Sequence, residues 1–196
     1  MQVIFYFAGE FAMCPMPELE KDISGVLITE EQIREKVAEL GKQITKDYEG
    51  KKLLVISILK GAVVFMSDLI RQIDLDTEID FMVVSSYGSG TKSTNSLNIR
   101  LDLSRPLDGC HVLIAEDVLD SGNTLSKVKN MLLQRQPASL KICAFLDKPS
   151  RRTTPIDVDY RGFVIPDEFV VGYGLDYDEK YRNLPYIGIL DRRVYE

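Results

Sequence analysis

Histidine is nearly missing from this chain, with His111 the only one among 196 residues. A single histidine rules out a multi-histidine metal site and argues against a histidine-based nucleophilic triad; His111 itself is expected just ahead of a strand. Cysteine is scarce too. Cys14, Cys110 and Cys143 form an odd, widely spaced set without metal-like pairing, read as reduced thiols of a cytosolic protein. Long apolar runs are lacking. The longest outside the N-terminus, residues 53–66, is split by Lys60 and Gly61 and is too short to span a bilayer. The apolar start, residues 1–15, has no basic region and contains Glu10, so it reads as an extension rather than a signal peptide. Basic excess is absent as well. The net charge of −6 opposes sequence-independent nucleic-acid binding, yet a local group of amides and cations can still bind phosphate. These absences leave a soluble, cytoplasmic protein with no membrane or nucleic-acid partner.

The remaining pattern is that of an α/β domain. Residues 1–20 are expected to be an extension and residues 21–196 a single domain. Thr29 and Gln32 form a capping box, and Ile33, Val37, Leu40 and Ile44 recur at helical spacing up to a stop at Gly50. Residues 53–59 read as a buried strand, and a helix is expected from Gly61 with Val64, Ile70 and Ile73 inward. Strands follow at 78–86 and, more weakly, at 99–103, flanking a Gly/Ser/Thr-rich segment, 87–96, expected to be a mobile loop. A strand around Val112, a helix over 123–134 and a strand over 140–145 complete the alternation, which implies a parallel sheet flanked by helices. After Pro149 the pattern turns irregular, as expected of a small hood over the carboxyl edge of the sheet.

The most informative stretch is 112–125. An apolar strand is expected to end at Glu116 and Asp117, followed by Asp120 and a Ser121-Gly122-Asn123-Thr124 turn into a helix. Carboxylates accept hydrogen bonds from sugar hydroxyls, directly or through the water shell of Mg²⁺. The turn supplies consecutive N–H groups, hydroxyls and a helix N-terminus, which together suit an anion. An N-capped helix after an acidic turn is the bland alternative for any one part. The assembly in this order points to a phosphorylated polyol.

This segment resembles the diphosphosugar-binding signature of the type I phosphoribosyltransferases, and the resemblance extends over residues 23–190 toward the bacterial branch acting on 6-oxopurines, hypoxanthine and guanine. It rests on further motifs: Leu59-Lys60-Gly61-Ala62, Ser85-Ser86-Tyr87-Gly88, and the run Phe169-Val170-Val171-Gly172-Tyr173-Gly174-Leu175-Asp176-Tyr177 with Lys148 before and Arg182 after it. The resemblance implies that the Lys60-Gly61 loop, often with a non-proline cis peptide, holds pyrophosphate. Ser86 and Tyr87 would open a loop that closes over the site and excludes water. Phe169 would stack on the base, the Val170 backbone would pair with the purine edge, and Lys148 would donate to the oxygen at C6. Arg182 would reach the pyrophosphate. Mg²⁺ would be held through Glu116 and Asp117, with a second ion at Asp176. The 5′-phosphate would sit in the turn from Asp120 to Thr124, and Asp120 would act as general acid/base near N7. Leu101 departs from the family, where many members carry a basic residue, so no pyrophosphate contact is assigned there.

The implied reaction joins hypoxanthine or guanine to 5-phosphoribosyl 1-diphosphate, in a homodimer or homotetramer. The competing reading is a non-catalytic regulator of the same fold that binds nucleotide and RNA, since fold alone does not fix activity. Action on another base is a further alternative; Lys148 disfavours adenine, whose 6-amino group is itself a donor.

Overall fold

The computed structural model describes residues 16–86 and 97–196. The expectations for the N-terminal extension up to Pro15, for Cys14, and for Tyr87 and the segment 87–96 lie outside the described residues. In chain order the elements are α1 (Pro17–Glu20), β1 (Ile23–Ile28), α2 (Glu30–Asp47), β2 (Leu53–Ile58), α3 (Val63–Ile70), β3 (Thr77–Ser86), β4 (Leu97–Leu101), β5 (His111–Leu119), α4 (Asn123–Leu133), β6 (Ser139–Asp147), β7 (Tyr160–Val164), β8 (Val170–Val171) and β9 (Ile187–Leu190). The central sheet has six strands in the order β4-β3-β2-β5-β6-β7. Every pairing is parallel except that of the edge strand β4 with β3. A smaller antiparallel sheet, β1-β9-β8, forms the hood.

Strand alternation divides the core in two. Leu53, Val55, Leu113 and Ala115 pack with α2 and α3 on one face, while Leu54, Ile56, Val112 and Ile114 pack with Leu125, Val128 and Leu132 of α4 on the other. The start of α2 follows its capping box: the Thr29 hydroxyl accepts from the Gln32 N–H at 3.3 Å, and the Gln32 side chain accepts from the Thr29 N–H at 2.9 Å. Its buried residues include all four periodic positions.

Three expectations are corrected. The fully buried residues of α3 are Phe65, Met66 and Leu69; of the expected inward positions, Val64 and Ile70 are partly buried against the same core, and Ile73 is buried but lies beyond the helix. The weak strand sits two residues earlier than expected, at Leu97–Leu101, because its register is set by antiparallel pairing to Val83–Ser86 rather than by its own alternation. Tyr160–Val164, read as part of the irregular region, is the outer parallel strand of the main sheet. His111 is the first residue of β5, its Nδ1 2.8 Å from the Ser139 hydroxyl, at the opposite end of the strand from the acidic pair.

Candidate active site

The acidic pair lies inside β5 and not at its end. The strand continues through Glu116 and Asp117 to Leu119, because β6 runs on beside it and supplies partners: Glu116 faces Ala144, Val118 faces Leu146, and Leu119 faces Asp147. The expected stop after Ala115 is therefore wrong. Carboxylates do not end a strand whose backbone groups are paired by a neighbour. Burial pushes the Asp117 carboxyl up to about 6, against the backbone N–H groups that favour its anion. Burial, then the Asp117 charge, raises Glu116 well above the ordinary range. Glu116 Oε2 is buried with no hydrogen-bond partner. A buried, unpartnered carboxylate oxygen is costly unless a ligand or ion completes it.

The loop after β2 comes up against this pair. The Leu59–Lys60 peptide is cis. Gly61 packs against the Asp117 carboxylate on one side, and on the other its carbonyl lies against Gly174, a left-handed residue with φ +98°. A side chain at either glycine would overlap its neighbour. Arg182 sits beside the same loop, donating from Nη1 to the Gly174 carbonyl at 2.8 Å and pairing with Asp176 Oδ1 at 2.9 Å. Its second nitrogen, Nη2, pairs with Glu179 at 3.1 Å, and Glu179 also holds Lys60 Nζ at 3.0 Å.

Beyond the end of β5 lies a cavity of about 430 Å³ that brings Asp120, Lys148, Phe169, Val170 and Asp176 together. The sequence places these residues up to 56 positions apart, from Asp120 to Asp176. Lys148 is 8% exposed and donates to the Glu168 carbonyl at 2.7 Å; desolvation lowers its pKa. Phe169 is 38% exposed, so it is no core residue. One face is stacked on Tyr195, with centroids 4.9 Å apart. Asp120 accepts from Arg151 Nε at 3.0 Å, and Arg151 reaches Asp167 at 3.5 Å. A second cavity, about 440 Å³ between α2, α3 and residues 182–185, touches this chemistry only through Arg182.

The turn Ser121–Thr124 opens α4 with Gly122 left-handed at φ +81°. It is covered by residues 152–156. The Ser121 carbonyl accepts from the N–H groups of Thr153 and Thr154, both at 3.1 Å, and the Asn123 side chain accepts from the hydroxyls of the same threonines. A side chain at Gly122 would crowd the Thr154 carbonyl at 2.9 Å. Ser86 is the last residue of β3, paired with Leu97, and Tyr87 lies outside the described residues.

Sequence reasoning missed Val118, Arg151, Glu179 and Tyr195. None stands in a pattern of its own: Arg151 and Glu179 are single charges in polar stretches, and Tyr195 is an aromatic near the end of the chain. Among the described residues no group of three or more His, Cys, Asp or Glu side chains could hold a metal alone. Mg²⁺ does not need such a group, since it is bound through one or two carboxylates with water and substrate oxygens. The unpartnered Glu116 oxygen and the adjacent, half-buried Asp117 carboxylate suit that role.

Comparison with known proteins gives a consistent picture. A family model for the phosphoribosyl transferase domain matches residues 28–178. A hypoxanthine-guanine phosphoribosyltransferase of Streptococcus pneumoniae is 50% identical over 177 residues, covering 90% of this chain and 98% of that protein. One from Mycobacterium avium is 52% identical over 181 residues, covering 89% of each. The crystal structure of a hypoxanthine phosphoribosyltransferase from Staphylococcus aureus superposes with a TM-score of 0.88 at 52% identity, covering 91% of this chain and 97% of that one.

Proposed function

The chain belongs to the phosphoribosyl transferase family, and we propose that its site joins a 6-oxopurine to 5-phosphoribosyl 1-diphosphate in purine salvage. The protein is an enzyme of the hypoxanthine-guanine type, forming IMP or GMP with release of pyrophosphate. The observation that supports the assignment of residues is the cavity in which Asp120, Lys148 and Phe169 meet, reached along β5 from the acidic pair through Val118.

In this reading the purine lies against Phe169, with its edge at the Val170 backbone. The buried Lys148 ammonium, now on the Glu168 carbonyl, donates to the oxygen at C6. Asp120 faces N7 and manages the base proton. Glu116 and Asp117 hold the ribose hydroxyls, and the turn Ser121, Gly122, Asn123 and Thr124 takes the 5′-phosphate. The Lys60-Gly61 loop and Arg182 face the pyrophosphate. By the family resemblance, Ser86 and Tyr87 would open the segment that excludes water. Bound Mg²⁺, held through Glu116 and Asp117 with a second ion at Asp176, would neutralise charge on the leaving diphosphate. The sugar carbon would pass through a cation-like transition state, so stabilising the leaving anion and placing the purine nitrogen are the residues' main tasks.

As implied by the family, the enzyme would work as a homodimer or homotetramer in the cytoplasm; among the described residues no helix is long and apolar enough to cross a membrane. The non-catalytic regulator considered from the sequence gains no support from relatives that carry an enzyme's name. The test is direct. The protein is incubated with the diphosphosugar and Mg²⁺, each purine is offered in turn, and nucleotide formation is followed. Product with hypoxanthine and guanine but not with adenine is the expected result, and binding without turnover of any base would overturn it.

A further inference from the structure

Glu179 stands where a glutamate is poorly suited. The Tyr177 and Lys180 backbones bond to each other in both directions, at 3.3 and 3.0 Å, so Asp178 and Glu179 are the central residues of a tight turn. Both have positive φ, 52° and 60°, a geometry for which asparagine followed by glycine is favoured. A side chain kept in such a place is strained, and strain of this kind gathers at functional sites. The side chain has a defined position: one carboxylate oxygen is 3.0 Å from Lys60 Nζ, and the other is 3.1 Å from Arg182 Nη2. The Glu179 N–H donates to Asp176 at 3.0 Å, tying the turn to the same loop cluster. Arg182 and the loop that carries Lys60 are assigned to the pyrophosphate above, and this inference rests on that assignment.

We propose that Glu179 is an internal stand-in for the diphosphate: it pairs with Lys60 and Arg182, and a diphosphate that binds these cations must displace it. The carboxylate keeps two cations beside the Gly61 loop from repelling each other and holds them in place. It also competes with the ligand for them. The competition weakens binding of diphosphosugar and of product pyrophosphate alike, and so favours product release.

The test is calorimetric titration of the full-length protein with inorganic pyrophosphate and Mg²⁺. Glu179→Gln removes the charge and keeps the shape; the side chain is 62% exposed, so the fold should tolerate the change. The expected result is pyrophosphate affinity tighter by about 3- to 10-fold, in line with two exposed ion pairs. Glu179→Asp, too short to span both cations, should move affinity in the same direction. In a Lys60→Ala background the gain from Glu179→Gln should shrink, because one of the competed cations is gone. Unchanged or weaker affinity in both Glu179 variants would overturn the proposal and leave Glu179 as a residue that merely orients its neighbours. No pyrophosphate binding by the unaltered protein would overturn the site assignment together with it.

Discussion

The Asp117 carboxylate fills the space where a Gly61 side chain would begin: a Cβ built on Gly61 would overlap Oδ2. The loop after β2 and the acidic pair are therefore in direct contact. Gly61 has little room on its other side, where its carbonyl meets Gly174. Gly61→Ala must push the loop or the carboxylate aside. A misplacement of about 1 Å at a reacting centre can cost on the order of 10²-fold, and a fall in kcat/KM of that size is expected. The mutant should keep its circular dichroism spectrum. Near-normal kinetics would mean that the loop and Asp117 are not functionally linked.

Asp120 lines the cavity beyond the end of β5 and is paired with Arg151. If it manages the base proton, Asp120→Asn should lower kcat by about 10²–10⁴-fold, the range for removal of a general acid/base. Affinity for both substrates should change little. Single-turnover measurements isolate the chemical step, and unchanged turnover there would remove Asp120 from the role.

Lys148 presents a nearly buried ammonium to the same cavity. If Lys148 donates to the 6-oxo group as proposed, Lys148→Met removes that donor while roughly preserving volume. A hydrogen bond involving a charged group contributes about 1.5–3 kcal/mol, so KM for hypoxanthine should rise by about 10- to 100-fold. KM for the diphosphosugar should stay near its original value. Equal effects on both substrates would instead point to a general disturbance of the cavity.

The half-buried acidic pair predicts a pH-dependent conflict between stability and activity. Folding raises the Asp117 pKa from 3.8 to about 6, so its ionised form opposes folding. The penalty is absent below the unfolded value, grows between the two, and is complete above about 6. Asp117→Asn should therefore melt a few degrees above the unaltered protein at neutral pH, and the gap should close as pH falls toward 3.8. Activity should be largely lost at every pH. A melting difference that does not vary with pH would show that Asp117 is not strained by ionisation.

Much of this arrangement was legible beforehand because it is local. The capping box at Thr29 and Gln32, the periodic face of α2 and the apolar runs of β2 and β5 each follow from residues a few positions apart. The acidic pair followed by a Gly-containing turn could be read for the same reason, and the motif resemblance added its roles. The end of β5 was misread because pairing is not local. Glu116 to Leu119 are strand because β6 lies beside them, and no property of those residues announces that neighbour. The outer strand β7 was missed for a similar reason: its parallel pairing with Cys143–Asp147 brings it into the sheet despite an irregular, proline-containing approach.

The sequence by itself determined which chemical groups are available and roughly where each falls along the strands, turns and helices, since backbone preference and hydrophobic period act over a few residues. Only the tertiary structure decided which of those groups meet. Glu179 reaches Lys60 across 119 positions, and Arg151 reaches Asp120 across 31. Such pairings depend on how the hood and the sheet edge pack together. Their partners are selected by the shape of the whole fold, and a linear pattern does not carry that information.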